Sequence, residues 1–255
     1  MSIYEAIFNR CSVREYEMEK LAPGRLEALE RYLKNIALLD EEKTVKFEII
    51  DNSDGKQKIH GLWKVEAPYY LAVYCGNDQL SVRNAGYAAE QAVLYLTSKE
   101  LGTCYLGATK AGEEKKDGLK RFLVIAFGRA AGRPSRDSSL AHRASLAALC
   151  VFKDEPGEQV KAILRAARLA PSSFNSQPWR FVVYSDRIYI FAKKTLPFSG
   201  KEKHAFKEFN IGIMLSHIML AAEELWMNME TQVEDQFAKK DYKNGEYVCT
   251  IMFHS

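Results

Sequence analysis

Between Ala170 and Phe181 the chain reads APSSFNSQPWRF. Two serines (Ser172, Ser173), two amides (Asn175, Gln177) and two prolines (Pro171, Pro178) share one short segment. A helix-period apolar series precedes it (Val160, Ile163, Leu164, Ala167), and the strand-like run Phe181-Val182-Val183 follows. The prolines end the helix and stiffen the connection. A mere connector needs one or two such residues. This density of hydroxyls and amides suits a loop that grips a polar ligand, although ordinary turn chemistry after Pro171 draws on the same residue types.

Two other strings stand out. Arg10-Cys11-Ser12-Val13-Arg14 places a hydroxyl between two guanidiniums, which alone also fits a helix cap beside two solvated arginines. Leu101-Gly102-Thr103-Cys104-Tyr105-Leu106-Gly107 is flanked by glycines. Together the three strings resemble the signatures of the nitroreductase family, FMN-dependent enzymes that take hydride from NAD(P)H. The resemblance implies that Arg10, Ser12 and Arg14 hold the FMN phosphate. It also implies that the 101–107 string is a loop passing the flavin ring, with a backbone N–H of Leu106 or Gly107 aimed at N5. Pro171, Ser172, Ser173 and Asn175 would then serve the ring edge or ribityl chain. Family tails often reach the phosphate, so Arg129 or Arg133 in GRAAGRPSRDSS is a further candidate, beside the plainer reading of an exposed polar linker. Cys11 stands where the family commonly has arginine.

The chemistry suits these types. Guanidiniums bind phosphate oxygens through paired, charge-assisted hydrogen bonds. If the 10–14 stretch is helical, Arg10 and Arg14 share a face with Ser12 at its start, and a helix N-terminus adds N–H donors. The cofactor carries the hydride chemistry while the protein positions it, so no catalytic side chain is named. The implied reaction is ping-pong transfer from NAD(P)H to a small electron-poor acceptor such as a nitroaromatic or quinone. A flavin-binding protein without turnover, for storage or redox sensing, is the alternative.

The order of the motifs is unusual, because about two thirds of the chain precedes the hydroxyl-and-amide loop. Self-similarity accounts for this. Pro23-Gly24 and Pro156-Gly157 each open a helical run, at an offset of 133, and the runs end before Lys46-Phe47 and Arg180-Phe181, at an offset of 134. Asn84-Ala85-Gly86 matches Asn210-Ile211-Gly212, and Phe127 matches Phe253, both at an offset of 126. Arg10 and Ser12 match Arg143 and Ser145, but Ala147 replaces the second arginine. The chain reads as two fused half-length units, residues 1–128 and 145–255, joined by a linker at 129–144. Each reads as helix, strand, strand, long helix, strand. The strands are expected at Lys46–Ile50, Tyr69–Cys75 and Phe122–Phe127, then at Arg180–Tyr184, Arg187–Ala192 and Tyr247–Phe253. The long helices, near Asn84–Leu101 and Asn210–Leu225, are apolar on nearly every face, so they are expected to be buried at the centre of an α+β nitroreductase-like fold.

Nitroreductases are typically intertwined homodimers with two FMN sites, so the resemblance implies a dimer fused into one chain. Ser172, Ser173 and Asn175 align near Leu38, Leu39 and Glu41, and the glycine-flanked string has no counterpart after Leu225. One composite site is therefore complete and the other depleted, which predicts one FMN per chain, in the cleft between the halves, and a monomer. Loops such as Asp51–Val65 and Leu196–Lys207 are the candidates for gating the substrate pocket.

The remaining candidates read more plainly. His217 lies in an apolar helix as a satisfied core histidine, without a second ligand at metal spacing, so no metal site is expected. Trp179 and Cys104 read as packing residues, and Glu113–Lys116 as a solvated charge cluster. Five cysteines without a CxxC pattern argue against a disulfide framework and suit a reducing cytoplasm. A net charge of +3 is too small to imply nucleic acid. No signal peptide or membrane-spanning segment is expected.

Overall fold

The computed structural model describes residues 1–57, 59, 65–107, 109, 111–194, 200–240, 242–243 and 245–254, with the side chains of 200–203 set aside. The chain divides into two compact units, Met1–Ala141 and His142–Ser255.

In the first unit α1 (Ile3–Asn9) begins at a reciprocal cap. The Ser2 hydroxyl accepts the Glu5 N–H (3.1 Å) and the Glu5 carboxylate accepts the Ser2 N–H (2.7 Å). After it come α2 (Arg25–Lys34), β1 (Val45–Asp51), β2 (Tyr69–Cys75), α3 (Gln79–Ser98), β3 (Gly102–Leu106), the short β4 (Lys115–Lys116) and β5 (Leu119–Gly128). The strands pair antiparallel in the order β1-β2-β5-β3, with β4 on the end of β5. All of β2 is buried, consistent with a central strand covered on both faces. A core of Val13, Tyr16, Tyr70, Tyr74, Cys104 and Val124 fills one face, among others.

The second unit runs α4 (Leu146–Leu149), β6 (Cys150–Phe152), α5 (Glu158–Arg168), β7 (Trp179–Val183), β8 (Arg187–Lys193), α6 (Gly200–Glu224), β9 (Asn228–Gln232), α7 (Asp235–Ala238) and β10 (Gly245–His254). Its sheet has the order β6-β7-β8-β10-β9, and only the β6–β7 pair is parallel. The order β7-β8-β10-β9 repeats β1-β2-β5-β3. Thr103 pairs with Phe127 and Met229 pairs with Phe253, each residue 126 positions after its equivalent.

Each unit thus has a strand between its long helix and its last strand that the sequence reading lacks. Gly102–Leu106 is not a loop: Thr, Cys and Tyr fit a pleated surface, and the partner β5 is available to satisfy their backbone groups. Its structural counterpart β9 carries none of its glycines, which is why matching residue types found nothing after Leu225. The long helices are buried at almost every position, α3 from Asn84 to Leu94 and α6 from Lys207 to Ile218. Each presents an asparagine to the loop that leads into the first strand of its main antiparallel series. Asn84 Oδ1 accepts the Leu39 N–H (2.7 Å) and its Nδ2 donates to the Lys43 carbonyl (2.7 Å), while Asn210 Oδ1 accepts the Ser173 N–H (3.1 Å). Ser173 therefore occupies the position of Leu39.

Gly102 has a packing reason: a Cβ there would lie 2.8 Å from three side-chain carbons of Val13. Gly102→Ala is expected to destabilise by about 1–3 kcal/mol through overpacking. Val13→Ala should recover part of that loss in the double variant, measured by chemical denaturation. Additive losses would show that the two side chains do not compete for the same space.

Candidate functional site

Residues 10–16 are extended rather than helical, which corrects the picture of Arg10 and Arg14 on one helical face. Helix α1 ends at Asn9. Arg10 then bridges Ser135, Ser12 bridges Thr103 and Tyr16 bridges Ala130. The Val13 N–H donates to Thr103 O (2.9 Å), the Glu17 N–H to Arg129 O (3.0 Å), and Arg136 N–H to Asn9 O (2.7 Å). Alternation of an extended chain gives Val13 to the core and leaves Ser12 and Arg14 exposed. No helix N-terminus stands at Ser12.

Arg10 is only 7% exposed, yet its guanidinium makes no hydrogen bond or ion pair with any described residue. It lies in the field of the Cys104 thiol and the Tyr105 hydroxyl, and Arg14 also acts on Cys104. Burial pushes the Cys104 thiol up, and both arginines only partly oppose it, so the thiol stays protonated and inert at neutral pH. Burial likewise drives Tyr105 far upward, reinforced by the buried Glu90 carboxylate that accepts its O–H (2.6 Å). Thr103, beside Ser12, is 2% exposed and its hydroxyl has no partner among the described residues.

Residues 129–136 close over this segment as its antiparallel partner, instead of forming a free polar linker. Arg129 pairs with Glu17 (3.5 Å), and Arg133 is exposed. Arg136, a residue the sequence reading passed over, is half-buried, and its Nε is sequestered without a partner among the described residues. Its place in the arginine cluster was visible; the strand-like pairing that buries it was not. Arg129 and Ser135 also line a cleft of about 520 Å³ with Arg25, Glu100 and Pro134.

Leu106 ends β3 buried opposite Val124, and Gly107 follows it, exposed. The segment beyond is clasped by Arg121, whose Nη1 donates to the carbonyls of Ala111, Gly112 and Glu113, each at 2.8 Å. Glu113–Lys116 is therefore not merely solvated. Tyr74 O–H donates to Glu48 (2.6 Å), and Lys116 Nζ pairs with the other Glu48 oxygen (2.8 Å). Burial works to raise the Glu48 carboxyl, but the hydrogen bonds from Lys116 and Tyr74 outweigh it and hold it below the ordinary range.

In the second unit Pro171 is buried and Ser172–Gln177 forms a turn. Ser172 Oγ accepts the Gln177 N–H (3.0 Å), and Ser173 is tied to Asn210. The Asn175 amide is held within this unit: its Oδ1 accepts from Arg143 Nη1 (2.9 Å) and its Nδ2 donates to His142 O (2.9 Å). Arg143 also donates to Ala170 O (3.2 Å). Ser145 caps α4 through the Ala148 N–H (3.3 Å). Arg10, Ser12, Arg14, Leu106, Gly107, Arg129 and Arg133 thus lie in the first unit, and Pro171, Ser172, Ser173 and Asn175 in the second.

His217 is fully buried with Nδ1 against Ala166 O (2.9 Å), as expected of a satisfied core histidine, and Trp179 is fully buried. None of the five cysteines is in a disulfide, and burial pushes Cys75 and Cys150 up to about 12. Among the described residues no three His, Cys, Asp or Glu side chains cluster as a metal site, and no helix is long and apolar enough to cross a membrane. Parts of both proposed gating loops, at 58, 60–64 and 196–199, lie outside the described residues.

Residues 2–222 match the profile of the family described as "Putative TM nitroreductase". The fold is similar to that of a "putative nitroreductase" from Thermotoga maritima, with 20% identity, 99% of this chain and 93% of that chain covered, and a TM-score of 0.67. Weaker likenesses include a nitroreductase family protein from Clostridium difficile, at 15% identity, 61% and 100% coverage and a TM-score of 0.49. An FMN-dependent nitroreductase from another strain of that species has 14% identity, 54% and 94% coverage and a TM-score of 0.41. No curated protein matches the sequence.

The Glu48 cluster makes a pH-dependent contribution to stability. A carboxyl held low in the folded chain stabilises above its unfolded value, near 4.5, and loses that contribution as pH falls through the folded value. Glu48→Gln should lower Tm at pH 7 by about 2–4 °C. The gap should narrow toward pH 3 in thermal melts; a constant gap would show that Glu48 contributes no ionic stabilisation.

Proposed function

This chain belongs to the nitroreductase family, and on that premise we propose that it is an FMN-dependent oxidoreductase moving hydride from NAD(P)H to a small electron-poor acceptor, a nitroaromatic or quinone, by a ping-pong mechanism. The observation that carries the reading is Arg10, a side chain only 7% exposed whose guanidinium keeps its nitrogens open to solvent and has no hydrogen-bond acceptor among the described residues. A phosphate offers both the charge and paired acceptors. Ser12 and Arg14, exposed on the same extended segment, add a hydroxyl and a second cation, and the unpartnered Thr103 hydroxyl stands beside Ser12. These groups fit the FMN phosphate and its ribityl neighbour.

When bound, FMN supplies the centre that accepts and returns hydride. The side chains of this unit hold and orient it. The buried Cys104 thiol stays protonated, so it serves as packing rather than as a nucleophile.

We read one FMN per chain, because Arg143, the equivalent of Arg10, is already committed to Ala170, His142 and Asn175. The two topologically matched units support reading the chain as a fused pair that acts as a monomer, and the buried free thiols suit a reducing cytoplasm.

The deciding experiment is a visible spectrum of the purified chain with flavin and protein quantified, followed by anaerobic NADH or NADPH and then a quinone. One flavin per chain, bleached by nicotinamide and restored by the quinone, is expected. Flavin that nicotinamide cannot bleach would favour a flavin-binding role without turnover. Arg10→Ala should weaken FMN binding about 10- to 100-fold, as for a lost hydrogen bond to a charged group. Arg143→Ala should leave the stoichiometry unchanged while lowering Tm by about 2–4 °C. Equal flavin loss in both variants, measured by fluorescence titration of the apoprotein, would overturn the one-site assignment.

A further inference from the structure

Beside the segment that carries Arg10 lies the cleft of about 520 Å³, a volume in the range of small-molecule and cofactor pockets. Every residue that lines it belongs to the first unit. Its apolar lining includes the buried Leu101 and Ala130 and the half-buried Pro134. Its charged side chains are Arg25, Arg129 and Glu100. Ser135 joins the cleft to the segment read above as the phosphate site, because it bridges Arg10.

Both guanidiniums keep donors to spare. Arg25 Nη1 donates to Lys99 O (3.2 Å), which is its one side-chain hydrogen bond to a described residue. Arg25 also opens α2, whose cap Gly24 provides no side-chain acceptor for the first N–H groups, so that helix end also favours an anion. Arg129 meets Glu17 through Nε at 3.5 Å, and its side chain is 62% exposed. Glu100 follows α3 in the left-handed region (φ 61°), where glycine is the ordinary residue. A glutamate there brings a carboxylate to the cleft at a conformational cost.

These groups differ in what they ask of a ligand. A bare phosphate would engage the two arginines and leave the apolar lining and the carboxylate idle. A phosphorylated adenosine uses all three: its phosphate suits the guanidiniums, its flat base the apolar lining, and its exocyclic amine the Glu100 carboxylate. We propose that this cleft receives the 2′-phosphoadenosine end of NADPH, so that the enzyme takes NADPH in preference to NADH. This rests on the flavin reading above, which makes a nicotinamide the hydride source. NADH carries a plain 2′-hydroxyl there, whereas a phosphomonoester brings about two negative charges. Arginine near the adenosine ribose is a recurrent means of accommodating that phosphate.

The test uses FMN-saturated protein, so that the flavin site cannot take up the probes. Binding of 2′,5′-ADP and of 5′-AMP to wild type, Arg25→Ala and Arg25→Lys is measured by isothermal titration calorimetry. Wild type should bind 2′,5′-ADP about tenfold or more tightly than 5′-AMP, as expected of added charge-assisted hydrogen bonds. Arg25→Ala should erase most of that difference and Arg25→Lys should restore part of it. Arg25 is exposed, so Arg25→Ala is expected to keep the wild-type Tm and flavin content. In anaerobic bleaching of the flavin, the ratio of kcat/KM for NADPH to that for NADH should fall about tenfold in Arg25→Ala. Equal affinity of wild type for the two nucleotides, no binding of 2′,5′-ADP, or faster bleaching by NADH would each overturn the proposal. The flavin reading would stand in those cases, because the flavin would still be bound and bleached. A wild-type chain that takes up no FMN would remove both readings together.

Discussion

A helix buried on all sides cannot turn its polar groups toward water, so most of them are satisfied by partners within its unit. That constraint organises both halves. On α3, Asn84 takes the backbone of 39–43, Gln91 donates to Ala37 O (2.9 Å), and Glu90 accepts the Tyr105 hydroxyl. These contacts fix the loop ahead of β1 and the strand β3 against one helix. On α6, Asn210 fixes the Ser172–Gln177 turn, and His217 reaches α5 at Ala166. The loop ahead of β1 and the Ser172–Gln177 turn are therefore shaped by amides inside the core rather than by their own sequence alone.

Much of the framework was legible in the sequence because burial leaves a periodic signature. The β2 strand, Tyr69–Cys75, has the expected bounds, and both long helices lie where the all-round apolar runs place them. The shared asparagine marked an actual structural equivalence, since Asn84 and Asn210 do the same work. What escaped has a common cause. The strand β3, its counterpart β9 and the extended 10–16 segment are each defined by a partner distant in sequence, and none has a period of its own. Gly102 drew attention as a glycine near a cofactor, whereas its neighbour is Val13.

The candidate site divides along the same line. Residue types showed which groups could hold a phosphate or shape a polar loop. They could not show that Asn175 spends its amide on Arg143, or that Arg10 is left without a partner among the described residues. Arg143 is tied to three oxygens, whereas Arg10, 7% exposed, makes no hydrogen bond with a described residue. Backbone topology can thus be held in common while side-chain commitments decide where a ligand is needed.

The buried hydroxyls and thiols of the first unit point in one direction. Burial raises Tyr16, Tyr70, Tyr74, Tyr105, Cys75 and Cys104, so these hydroxyls and thiols stay neutral near pH 7. Such groups serve as hydrogen-bond donors and packing, not as bases or nucleophiles. Against that neutral background Arg10 is a buried fixed charge that has not found its counterpart among the described residues. A site assembled from fixed cations and neutral donors is suited to hold an anion and stabilise charge arising on it. Bond-making in such a site falls to the bound group.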